Sequence, residues 1–175
     1  GAVTLLVPGP KMIWHFGDLG MENSIFMCTD GTVNTSSDVT SGDCKLSTKP
    51  QPQWTGNWLG NSGRNKIYSD WSKMIAMKIN EPVFSGTATM NGTSSLYPNI
   101  KITNATLSSG DLKDVLIIAN FNVTTQNVPT GFVTTGTWYN LLDNTTIDVS
   151  NVNMTMSLLP GEFRIYGNKE IGRAH

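Results

Sequence analysis

Apolar positions change their spacing twice along this chain, and the changes divide it into three stretches. From Asn65 to Ile79 they recur every three or four residues, with Ile67, Tyr68, Trp71, Met74, Ile75 and Ile79 on one side, which predicts a long amphipathic helix. Asn61 or Ser62 can cap its start. Pro82 ends it, because a proline pushes the preceding Glu81 out of the α region. Beyond Pro82 the period drops to two. Runs at Val83–Thr89, Ile100–Leu107, Asp114–Asn122, Val133–Leu142, Thr146–Val149, Met154–Leu158 and Phe163–Tyr166 predict short strands. The turns between them are marked by Ser109-Gly110-Asp111, Asp143-Asn144 and Pro160-Gly161. The centre of Asp114–Asn122 is apolar on both faces, as a central strand of a sandwich would be. Short strands without intervening helices predict a mainly β chain, built as an antiparallel Greek-key β-sandwich.

The first third follows neither rhythm. Lys11-Met-Ile-Trp-His-Phe16 is nearly continuous in apolar character, the pattern of a parallel strand covered on both faces, and Gly17-Asp18-Leu19-Gly20 turns the chain after it. A hairpin with Val3–Val7 would leave one face of that run bare, so Val3–Val7 is read as a helix end feeding a parallel strand. Met21 to Gln53 is rich in turn residues and reads as a long excursion loop. Cys28 and Cys44 bracket part of it. In an oxidising compartment they would close a bridge worth roughly 3 kcal/mol, and otherwise they are two thiols; zinc would lack ligands.

The 175 residues, 38% hydrophobic, can bury a core. Only 14% are charged and the net charge is −1, which argues against nucleic acid as a partner. No apolar run reaches the roughly 20 residues of a membrane span. Abundant Asn, Thr, Ser and Gly suit an exported β-rich protein. Six Asn-x-Ser/Thr sequons, at Asn34, Asn91, Asn104, Asn122, Asn144 and Asn153, are accounted for by that composition. No phosphate-binding glycine loop occurs, and with His15 and His175 as the only histidines a hydrolase triad lacks a base; no cofactor is implied.

Several motifs resemble the α-amylase family of glycoside hydrolases, in the order that family has them. Pro8-Gly9-Pro10-Lys11-Met12-Ile13-Trp14, leading to Gly17-Asp18-Leu19-Gly20, resembles its eighth barrel strand and the following loop. Tyr68 to Lys78, then Asn80-Glu81-Pro82-Val83-Phe84, is similar to its eighth barrel helix and the exit to a C-terminal domain. Val115 to Phe121, Trp138-Tyr139 and Leu158-Leu-Pro-Gly-Glu-Phe-Arg-Ile-Tyr166 resemble strands of that domain. The resemblance implies the last βα unit of a (β/α)8 barrel in residues 1–81 and a C-terminal β-sandwich in 82–175. It also implies a secreted, periplasmic or cell-surface bacterial protein. Its partners would be α-glucan, through the parent enzyme, and the upstream barrel of the same protein. Uncovered apolar residues of the lone strand would favour self-association.

That family's nucleophile, acid/base and second aspartate sit on its fourth, fifth and seventh strands, whose motifs do not occur in this chain. Retaining hydrolysis needs two carboxyl groups about 5–5.5 Å apart across the bond. Asp18 and Glu22 lie on one loop and cannot readily flank a sugar, so no catalytic residue and no metal ligand is assigned. Asp18 stands where the family usually has Glu. As rim contacts to glucan the chain offers His15, Asp18, Glu22 and Trp54; Trp54 with Trp58 could stack on pyranose rings or fasten the loop. The reading that follows is the C-terminal portion of an exported α-amylase-type enzyme, inactive by itself. A non-catalytic carbohydrate-binding or structural module is the alternative, with Trp138 or Trp54 as its stacking residue.

Overall fold

The computed structural model describes residues 1–13, 16–21, 56–92 and 94–171. The chain divides into two compact units, Met12–Asp70 and the remainder, Gly1–Lys11 with Trp71–His175.

Among the described residues the larger unit is built on eight strands: β1 (Thr87–Asn91), β2 (Asn99–Thr103), β3 (Asp114–Ala119), β4 (Gln126–Pro129), β5 (Gly136–Asn140), β6 (Thr146–Val149), β7 (Thr155–Leu158) and β8 (Phe163–Gly167). Six of them form one sheet in the order β1-β2-β3-β8-β5-β6, and β4 pairs with β7 in a second. Every pairing is antiparallel. The chain changes sheet on entering and leaving both β4 and β7, and β8 enters between β3 and β5, so the Greek-key sandwich expected from the alternation is the fold observed.

All six residues of β3 are buried, and its two faces look at different layers. Val115 and Ile117 join Ile100, Ile102 and Ile165 on one side, where Leu5, Leu6, Met74 and Met77 from two helical segments cover the sheet. Leu116 and Ile118 join Trp138 and Tyr166 on the other, against Val128 and Leu158 of the small sheet. An unbroken apolar strand thus needs a helical layer on one side and a β layer on the other.

The helical layer comes from α1 (Ala2–Leu5) and the second half of α2 (Ser62–Asn80). Val3 to Leu5 are helical, as the rejection of a hairpin required. Asn61 caps α2, its Oδ1 accepting from the backbone N–H of Gly63 at 3.0 Å and Arg64 at 3.1 Å. The predicted stripe is right at Met74 and wrong at Ile67 and Tyr68, which are exposed, and at Ile79, which is 75% exposed. At 100° per residue Ile79 stands about 140° round from Met74, and Met77 takes the inward position instead. In the last turn Lys78 Nζ donates to the carbonyls of Phe84 (2.7 Å), Val7 (2.9 Å) and Leu6 (3.4 Å), joining the helix end to the N-terminal segment and to the start of the sandwich. Lys78→Met leaves three carbonyls short of a donor and is expected to cost about 1–2 kcal/mol, read from the urea unfolding midpoint. An unchanged midpoint would show that water replaces the ammonium at no cost.

Glu81 takes an extended conformation, φ −102° and ψ 115°, as Pro82 dictates. Val83 to Ser85 do not continue as strand: Pro82–Ser85 is a 3-10 turn that plugs Val83 and Phe84 into the core, and β1 starts only at Thr87. Gly86 makes the transition possible, since a Cβ there would lie 2.3 Å from the Thr103 carbonyl oxygen. Burial raises the pKa of Glu81. The folded state therefore holds this proton more tightly than the unfolded chain does. The stability Glu81 contributes is full below its unfolded value of 4.5 and lost as pH rises through the higher native value. Glu81→Gln should stabilise the protein at pH 7, by less than about 0.5 kcal/mol given its solvent screening, and the gain should vanish near pH 4. Thermal melts at the two pH values check it; an equal gain at both would refute the linkage.

One further expectation is corrected: Phe16, read as the end of the apolar strand, is left-handed with φ 60°. Lys11–Ile13 pair with no strand among the described residues, and Trp14 and His15 lie outside them. A parallel strand exists only through neighbouring ladders, and every described ladder in this chain is antiparallel and belongs to the sandwich. Strand β4 has no precursor in the pattern. Val128 is its one buried residue and Pro129 its end, so it carries no alternation to read.

Candidate functional site

Within the Met12–Asp70 unit, the described candidate residues gather at the start of α2 and at a single 3-10 turn. Gly17–Leu19 form that turn, closed by Leu19 N–H to Phe16 O at 3.0 Å and Gly20 N–H to Gly17 O at 3.1 Å. The Met21 N–H also donates to Phe16 O, at 3.1 Å. Asp18 sits at its middle, half-buried. Gly20 leaves the turn with φ 64°, and a Cβ on it would meet Ile67 Cδ1 at 2.6 Å, so the exit is closed against the helix.

Arg64 reaches from the first turn of α2 to the carbonyl end of this turn. Its Nη1 donates to Leu19 O at 3.0 Å and to Gly20 O at 2.5 Å. The same guanidinium lies over the Trp58 ring, 4.1 Å from its centroid. Trp58 belongs to a second 3-10 turn, Trp58–Gly60, entered through left-handed Asn57 (φ 46°) and running into the Asn61 cap of α2. Asn65 Nδ2 donates to Leu59 O at 3.0 Å, a further tie between that turn and the helix. The indole is therefore occupied on one face by an arginine of its own chain.

Chemically this arrangement can bind and orient. Among the described residues of the unit the carboxylates are Asp18 and Asp70, and Asp70 is paired with Lys66 at 2.8 Å. Among the described residues no group of three or more His, Cys, Asp or Glu could hold a metal ion.

Of the residues singled out in the sequence, Asp18 and Trp58 fall on this structure, and Arg64 joins them. His15, Glu22, Trp54 and the Cys28–Cys44 pair lie outside the described residues. Trp138 is not a stacking surface: it is 1% exposed in the core between the two sheets, and its Nε1–H donates to Thr134 O at 3.0 Å. Arg64 carried no signal in the sequence, since a single arginine in the first turn of a helix reads as a solvated charge.

No family model matches the chain. No curated protein sequence matches it either. Among solved structures, an AmyP variant in complex with maltotriose is similar at 13% identity and a TM-score of 0.69, over 98% of this chain and 34% of that one. A pullulanase from Anoxybacillus sp. LM18-11 is similar at 10% identity and a TM-score of 0.57, over 95% of this chain and 22% of that one. Type I pullulanase from Bacillus subtilis str. 168, complexed with maltose, gives 13% identity and 0.55, over 95% and 22%. The chain spans about a third or less of the length of these enzymes. At such identities the fold alone is what is shared with these enzymes.

Proposed function

We propose that this chain is the C-terminal portion of an α-amylase-type glycoside hydrolase that acts on the α-glucosidic bonds of starch-like glucans. Residues 1–81 supply the last strand, loop and helix of its barrel, and residues 82–175 the sandwich that follows. The observation that carries this reading is the alignment of 98% of the chain with one third of AmyP, a protein crystallised with maltotriose. The order of motifs in the sequence supports it, because the helix, the proline exit and the sandwich strands occur as they do in that family.

In this reading the catalytic carboxylates belong to earlier barrel strands. The Asp18 turn contributes to the rim of the cleft, where a carboxylate accepts hydrogen bonds from sugar hydroxyls. The sandwich packs and stabilises, and with Trp138 in its core it loses the indole by which it would have served as a separate sugar-binding module. The parent protein works outside the cytoplasm.

Purified as 175 residues, the chain should release no reducing sugar from soluble starch. The reading frame upstream of the Gly1 codon should encode seven more barrel strands, with an aspartate nucleophile, a glutamate acid/base and a second aspartate. Starch hydrolysis that survives repurification would overturn the reading, as would an upstream frame without those strands.

A further inference from the structure

We infer that Arg64 is the positioning residue of the Asp18 turn, holding that carboxylate in place for the hydroxyl groups of an α-glucan; the glucan part rests on the function proposed above. A three-residue 3-10 turn has little cohesion of its own. This one is bracketed by two left-handed residues, Phe16 at φ 60° and Gly20 at φ 64°, and the first is not glycine, so the local backbone opposes the conformation it adopts. Something outside the turn must hold it.

Arg64 meets that need from 44 and 45 residues away. Its guanidinium donates to Leu19 O and Gly20 O, the carbonyls at the end of the turn, where a cation is also favoured by the aligned peptide dipoles. Its own backbone is fixed in a 19-residue helix whose start is capped by Asn61. The Trp58 ring lies beneath the guanidinium carbon, 4.1 Å from its centroid, and restricts where that group can go. Helix, indole and turn are thus joined through one side chain. A lysine could donate to the same carbonyls but would not stack in the same way on the indole.

An ordered Asp18 matters because a rim contact adds affinity only when it is held before the sugar arrives. Loosening the turn leaves the carboxylate chemically unchanged and spreads it over many positions. Arg64 then acts on the sugar only through Asp18.

The test is hydrogen exchange read by mass spectrometry, on the 175-residue chain for the variants alone and on the full-length parent enzyme carrying them for every measurement with millimolar maltoheptaose. Arg64→Met should speed exchange at the Leu19, Gly20 and Met21 amides at least tenfold. Arg64→Lys should recover part of the protection, and the amides of β3 should not change in either variant. In wild type, maltoheptaose should slow exchange at the same three amides. Asp18→Asn and Arg64→Met should weaken maltoheptaose binding by similar factors, and the double variant by no more than the larger of the two. Unchanged exchange at the turn in Arg64→Met would overturn the role of Arg64, as would equal loosening of β3 or additive losses in the double variant. A turn that loosens as described in a chain that maltoheptaose never protects would instead overturn the glucan reading and leave Arg64's hold on the turn standing.

Discussion

Trp138→Ala should lower the stability of the protein by about 4 kcal/mol, the loss typical of removing a large aromatic side chain from a packed core. The indole fills the space between the two sheets with Leu116, Ile118, Val128 and Leu158. It packs at 5.0 Å centroid distance on Phe132, which lies 5.6 Å from Tyr166, so its removal takes one ring from a tilted chain of three. A domain of this size has roughly 5–15 kcal/mol to lose, which places the variant near global unfolding at 37 °C. Trp138→Phe keeps the ring and deletes the donor to Thr134 O, so it should cost about 1–2 kcal/mol beyond the change in volume. Urea unfolding followed by far-ultraviolet circular dichroism measures both. A loss under 1 kcal/mol for the alanine variant would mean that the sheets are not held together at this residue.

Asn120→Asp should be as damaging for a different reason. Asn120 follows β3, is wholly buried, and uses every polar atom of its side chain. Its Nδ2 donates to the carbonyls of Thr124 (2.9 Å), Leu158 (3.0 Å) and Leu159 (3.2 Å), and its Oδ1 accepts from Asn122 N–H at 2.9 Å. Aspartate has nearly the same shape but no donor, and at pH 7 it turns a negative oxygen toward three carbonyl oxygens. The expected cost is about 3–5 kcal/mol, the penalty for unsatisfied buried acceptors plus that of an unpaired charge. Protonation restores one donor, so this carboxyl should bind its proton more tightly in the fold than in the unfolded chain. The variant then keeps its stability at low pH and loses it as pH rises through the native pKa. The gap in urea midpoints between variant and wild type should therefore shrink from pH 7 to pH 4. A gap independent of pH would show that the carboxylate finds water or a cation.

What could be read from the sequence follows from how locally each feature is determined. Pro82, the Asn61 cap and the Asp143-Asn144 turn are set by one or two residues, and all three occur; Asn144 is left-handed at φ 60° and Asp143 Oδ1 binds Thr145. The apolar run of β3 announced burial on both faces, but not that one covering layer would be helical. Periodicity reports how many faces are covered and is silent about what covers them. Strand β4, with a single buried valine, exists because β7 offers it a partner, and pairing of that kind lies outside any local pattern. The run from Lys11 shows the complementary limit: its composition suits a strand, but a strand is defined by a ladder partner, and the described residues offer it none. Arg64 was invisible because its importance lies in two carbonyl oxygens, and carbonyl groups are common to every residue.

The place of β8 has a consequence for synthesis. The last strand of the sandwich is also its centre, paired with β3 from Val115↔Gly167 to Ala119↔Phe163 and with β5 through Tyr139↔Gly167 and Asn140↔Tyr166. Until Phe163–Gly167 has left the ribosome, the large sheet can exist only as two separate pieces, β1-β2-β3 and β5-β6, each with an open edge. Helix α2 can form early, but the surface it covers is finished last. Nascent chains stalled before β8 thus leave open the two strand edges it joins, β3 and β5, and the core it fills with Ile165 and Tyr166, and closure of the large sheet is a late event that joins segments about 50 residues apart.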